Sequence, residues 1–74
     1  MADYNKAIEL DPQFAIAYDS RGYAYGERGQ WDLAIADHSK AIELDPQFAI
    51  AYDNRGYAYD EKGQYDLAIA DYNK

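Results

Sequence analysis

Residues 7–19 read Ala-Ile-Glu-Leu-Asp-Pro-Gln-Phe-Ala-Ile-Ala-Tyr-Asp, and the same run opens again, letter for letter, at Ala41. Setting the chain against itself with an offset of 34 pairs residues 1–40 with residues 35–74, and 31 of those 40 pairs are identical. A period of this length marks an array in which each unit buries its apolar face on the next. Surface positions repeat as well as apolar ones, which points to a recently duplicated or designed sequence.

The quoted stretch contains the end of one helix and the beginning of another. The residue before a proline is pushed out of the helical region, so Asp11-Pro12 and Asp45-Pro46 each close a helix. The proline then suits a turn or the first position of the next helix. Helices are predicted over residues 1–10, 13–28, 31–44, 47–62 and 65–74. In the second, Phe14, Tyr18, Gly22 and Tyr25 share one face, while Ile16, Asp19, Tyr23 and Glu27 share another. Gly22 in mid-helix costs about 1 kcal/mol relative to alanine, so a close helix crossing is expected there. Gly29 and Gly63 supply the left-handed residue that ends a helix. The third helix turns Trp31, Ala34, His38 and Ala41 inward and carries Asp32 in its first turn. No run alternates in the manner of a strand. The fold class is therefore all-α, an array of antiparallel helical hairpins.

Composition narrows the function. Seventy-four residues make one small domain, whose core leaves a thin margin after roughly 1.5 kcal/mol of entropy per ordered residue. Support from a partner or a second copy is expected. There is no cysteine, and no apolar run long enough to span a membrane. The opening Met-Ala-Asp-Tyr-Asn-Lys is unlike a signal peptide, so a cytoplasmic location is the default expectation. Fourteen acidic residues against seven basic give a charge of −7, which disfavours nucleic acid and anionic lipid and favours a basic or neutral partner. With 49% hydrophobic residues and nine tyrosines, the chain has enough to bury that it should fold.

The landmarks of this 34-residue helix-turn-helix unit resemble those of the tetratricopeptide repeat family over essentially the whole chain. The aromatic near the start of the first helix is Tyr18 and Tyr52, the small residue at the crossing Gly22 and Gly56, and the next aromatic Tyr25 and Tyr59. In the second helix the aromatic entry is Trp31 and Tyr65, and the small packing residues are Ala34, Ala68 and Ala41, with Ala7 in the leading fragment. The inner aromatic is Tyr4, His38 and Tyr72, and the closing proline Pro12 and Pro46.

The resemblance implies an α-solenoid with a right-handed superhelix, its five helices in the order B-A-B-A-B, where A and B are the first and second helices of a repeat. Residues 1–12 are then the end of one repeat, 13–46 a full repeat and 47–74 a truncated one, together one domain. One landmark departs: Arg21 and Arg55 stand where many members have leucine. A buried arginine needs a partner, and a structural salt bridge with Asp3, Asp37 and Asp71 is expected.

The family binds peptides in a concave groove lined by A helices. The matching positions are Ile16, Asp19, Ser20, Tyr23, Gly26 and Glu27, then Ile50, Asp53, Asn54, Tyr57, Asp60 and Glu61. Such a groove is acidic with tyrosine and isoleucine platforms, and suits a basic segment with some apolar content. One subclass clamps C-terminal carboxylates with lysine, asparagine and arginine, but Asp19 and Tyr23 occupy the positions of the first lysine and asparagine, and Asn54 alone matches. The alternative reading is structural. Residues 1–6 and 69–74 have the same phase, so the incomplete end helices are expected to associate into a homo-oligomer, with no separate ligand.

Nothing in the chain assembles into a catalyst. It has a single histidine, no cysteine, and serines only at Ser20 and Ser39. His38 stands where both sister helices have tyrosine, which is the place of a packed core histidine whose burial would make stability pH-dependent. Asp37 beside it points about 100° away and does not chelate with it. No metal or cofactor is expected. Tyr4, Tyr18, Tyr25, Tyr52, Tyr59 and Tyr72 fall on core or inter-repeat positions and Tyr65 on a hairpin position, leaving Tyr23 and Tyr57 to touch a partner.

Overall fold

The computed structural model describes residues 2–74. Within them the chain forms α1 (Ala2–Leu10), α2 (Ala15–Glu27), α3 (Trp31–Leu44), α4 (Ala49–Glu61) and α5 (Tyr65–Tyr72), with no strand among the described residues. The helix expected over residues 1–10 is seen from Ala2; residue 1 lies outside the described residues.

The A helices α2 and α4 begin two residues later than the spacing predicts. Asp11 Oδ1 accepts the Gln13 N–H at 3.0 Å, and Asp45 Oδ1 accepts the Gln47 N–H at 3.1 Å. Behind them, the Phe14 and Phe48 N–H groups donate to the carbonyls of Asp11 and Asp45. The Asp-Pro pair thus spends its side-chain acceptor on an Asx turn, and the proline sits in that turn rather than at the first helical position.

The other turns are set by backbone sign. Gly29 and Gly63 have φ of +73° and +80°. This lets the Gln30 N–H reach the Tyr25 carbonyl at 3.0 Å and the Gln64 N–H reach the Tyr59 carbonyl at 2.9 Å, closing the helix ends in Schellman fashion. A Cβ at either glycine would meet nothing within 4 Å, so conformation alone requires the residue.

Each helix packs on its neighbours in sequence, and α2 also touches α4 across the repeat boundary. The result is a thin slab of 35 × 26 × 13 Å. Its buried apolar positions are all small: Ala17, Ala34, Ala41, Ala51, Ala58 and Ala68, and among the described residues no large side chain is fully buried. Small residues let helix axes approach, and Gly22 and Gly56 take this furthest. A Cβ on Gly22 would stand 2.9 Å from the His38 ring and 3.1 Å from the Ala34 carbonyl oxygen. One on Gly56 would stand 2.9 Å from the Tyr72 ring and 3.2 Å from the Ala68 carbonyl oxygen. Tyr18, Tyr25, Tyr52 and Tyr59 lie half-buried over this seam.

Three of the tyrosines expected at core, inter-repeat or hairpin positions are exposed instead: Tyr4, Tyr65 and Tyr72. Tyr4 on α1 and Tyr72 on α5 each have a neighbouring helix on one side only, whereas His38, in the same phase on α3, lies between α2 and α4. Among the described residues no helix is long and apolar enough to cross a membrane.

Candidate functional site

The A helices α2 and α4 run side by side and repeat one exposed face. Ile16 and Tyr23 on α2 are 59% and 58% exposed, and Ile50 and Tyr57 on α4 are 61% and 54% exposed. One exposed apolar residue is ordinary, but four in equivalent positions on adjoining helices form a strip. The carboxylates of Glu27, Asp53, Asp60 and Glu61 are exposed on the same helices. Ser20 and Gly26 are half-buried.

Asp19 corrects the sequence reading. It was expected to face the groove, yet it is buried, and both its oxygens are taken. His38 Nδ1 lies 2.7 Å from Asp19 Oδ1, and the Asn54 side-chain amide donates to Asp19 Oδ2 at 3.1 Å. A carboxylate only accepts, so Nδ1 carries the proton and donates. Three helices are thereby joined: Asp19 on α2, His38 on α3 and Asn54 on α4. Asn54 is consequently turned partly toward the core rather than wholly toward a ligand. At the next repeat Asp53 is exposed and Tyr72 replaces the histidine, so the network occurs once.

The arginines at the leucine landmark each form a two-pronged pair. Arg21 donates from Nε and Nη2 to Asp37 at 2.7 and 2.8 Å, and Arg55 does the same to Asp71. The remaining Nη1 groups donate to Asn5 Oδ1 at 2.9 Å and to Ser39 Oγ at 3.2 Å. Each guanidinium also lies over two tyrosines, Tyr18 and Tyr25 or Tyr52 and Tyr59, with Cζ between 5.6 and 5.9 Å from the ring centres. The hydrogen bonds to aspartate outweigh desolvation and hold both arginine pKa values above the ordinary one. Asp3 does not join them. Each arginine takes the aspartate 16 residues after it, and Asp3 is exposed.

Between α2, α3 and α4 the exposed strip opens into a pocket of about 230 Å³ whose lining includes Tyr23, Glu27, Trp31, His38, Asn54 and Tyr57. Trp31, expected to turn inward within its hairpin, is half-buried at the pocket and meets Tyr57 edge-on, ring centres 5.7 Å apart at 78°. Gly26 makes room for it: a Cβ there would stand 2.9 Å from Trp31 Cζ3. Glu27, by its charge and by hydrogen bonding, pushes the Tyr23 phenol pKa up. The sequence reading missed Trp31 and His38 as pocket residues. A signal was present, because the repeats differ together at Gly26/Asp60 and Trp31/Tyr65, and the first-repeat pair is in contact.

At the pocket the His38 ring donates from Nδ1 to the buried Asp19 carboxylate. Among the described residues no group of three or more His, Cys, Asp or Glu side chains could hold a metal ion.

A family model described as TPR repeat matches residues 22–63, and one described as tetratricopeptide repeat matches residues 3–36. The chain belongs to the tetratricopeptide repeat family. Two solved structures of MamA have the same architecture. Each is 36% identical and matches 95% of this chain, with TM-scores of 0.89 and 0.90, covering 38% and 41% of the MamA chains. The tetratricopeptide chain thus spans about two fifths of the length of the solved chains it matches. No curated protein matches it. Tetratricopeptide repeats generally mediate protein–protein interaction, and the helical solenoid here has their fold.

Proposed function

We propose that the chain binds a basic, partly apolar protein segment along the face shared by α2 and α4. The observation that carries this reading is the doubled strip of Ile16, Tyr23, Ile50 and Tyr57, each more than half exposed, set among the carboxylates of Glu27, Asp53, Asp60 and Glu61. Apolar platforms supply contact area, and the surrounding negative charge steers a basic segment and rejects an acidic one. No lysine or arginine stands on this strip, which also disfavours a terminal carboxylate as ligand.

The test is fluorescence anisotropy with a labelled peptide of alternating lysine and leucine, read at low and moderate salt. Saturable binding that weakens with salt and drops at least about ten-fold in Tyr23→Ala and Asp53→Ala is the expected result, ten-fold corresponding to about 1.4 kcal/mol. Binding indifferent to both substitutions overturns the reading.

A second reading is association of copies through α5. It rests on Tyr65, Ile69 and Tyr72, which are exposed while their counterparts Trp31 and Ile35 are half-buried and His38 is buried. A mass by light scattering that rises with concentration supports it, and a constant monomer mass removes it.

A further inference from the structure

Resting on the groove reading above, we infer that the pocket between α2, α3 and α4 is an anchor site for one lysine side chain of the bound segment. Its walls include Trp31, Tyr57 and Tyr23, and Glu27 is the carboxylate at its lining. No lysine or arginine is among the lining residues. An organic cation beside aromatic faces is held by the ring quadrupoles, and the tryptophan ring is the strongest of the three. The Gly26 backbone leaves the room in which that ring stands.

Charge alone would admit arginine as readily; the acceptors favour lysine. A guanidinium draws its advantage from a carboxylate with two free oxygens. Asp19 does not line the pocket, and its oxygens are taken by two residues that do, one by His38 and the other by Asn54. Glu27 is left, and it stands against the Tyr23 phenol. A compact ammonium on an aliphatic stem asks for one charge and apolar walls, and the pocket offers both. A volume of about 230 Å³ accommodates the lysine stem with its head group.

Trp31 is the only tryptophan, so its fluorescence reads this pocket directly. The probe is n-butylammonium, compared at constant ionic strength with 1-butanol and with n-propylguanidinium. The expected result is a saturable change in Trp31 emission with butylammonium, at least five-fold weaker with either comparison compound. It weakens at least five-fold in Tyr57→Leu and in Glu27→Gln, both checked for native helix content, and is kept in Leu67→Ala, which lies on α5 outside the pocket. An equal response to butanol, tighter binding of the guanidinium, or indifference to both substitutions overturns the inference. If butylammonium fails while the lysine-leucine peptide still binds through Tyr23 and Asp53, the anchor falls and the groove stands. If butylammonium binds while the peptide does not, the groove reading falls and the pocket stands as a cation site.

Discussion

The imidazole of His38 donates to the buried carboxylate of Asp19 across 2.7 Å, and the same carboxylate accepts the Asn54 amide from the next repeat. One side chain therefore ties a hairpin together and ties that hairpin to its neighbour. Asp19→Ala strands a buried ring N–H and a half-buried amide, at a cost of about 1–3 kcal/mol. Asp53→Ala removes the equivalent carboxylate from an exposed position and is expected to change stability by less than about 0.5 kcal/mol. Urea unfolding of the two variants decides it; equal losses would mean that the network adds nothing.

The pairs Arg21–Asp37 and Arg55–Asp71 recur with the same geometry one period apart. Removing either partner leaves a partly buried charge alone, which costs about 2–4 kcal/mol. Arg21→Leu combined with Asp37→Ala restores an apolar pair at the family's leucine landmark. The double variant should be more stable than the sum of single losses predicts, by about 1–3 kcal/mol, in a double-mutant cycle. Additive losses would show that the two groups do not depend on each other.

Gly22 and Gly56 occupy the same landmark against different partners. Alanine gains about 1 kcal/mol of helix propensity at either site, against an overpacking cost of about 1–3 kcal/mol. At Gly22 the obstacle is the His38 ring, 2% exposed and pinned by Asp19; at Gly56 it is the Tyr72 ring, 46% exposed and able to swing away. Gly22→Ala is expected to lower the thermal midpoint by several degrees and Gly56→Ala to leave it nearly unchanged. The reverse order in thermal melts would contradict this account of the crossing.

Partial desolvation of the otherwise exposed ring, followed by the charges of Asp60 and Asp53, raises the Tyr72 phenol pKa. The folded chain thus binds that proton more tightly than the unfolded chain. Tyr72's contribution is complete below the ordinary tyrosine value of about 10 and is lost as pH rises through the folded value. Tyr72→Phe has no proton to lose, so its stability should fall less steeply between about pH 9 and 11. Superimposable alkaline profiles for the two chains would refute the linkage.

Much of the fold was legible because a repeat states its own boundaries. Asp11-Pro12 and Gly29 mark the two kinds of turn, and each acts locally, through a ring that excludes helix and a backbone sign only glycine takes freely. The arginine–aspartate pairing was legible in residue type but not in register, since Asp3 was expected beside Asp37 and Asp71 and takes no part. The start of α2 was less so, because the Asp11 side chain chose a turn over a helix cap. Tyr23 and Ile50 are exposed as their helix positions implied, whereas Asp19 is buried against that expectation.

Periodicity, charge and landmark residues by themselves determined the element order, the hairpin pairing and the family. Tertiary structure decided what equivalent residues do. Asp19 and Asp53, His38 and Tyr72, Trp31 and Tyr65 share a phase and nearly the same sequence around them, yet the first of each pair is covered and the second is open. The reason is physical: in a stacked array a side chain's burial depends on the helix laid over it, and among the described residues α4 packs on the first repeat while α5 packs on α4 alone.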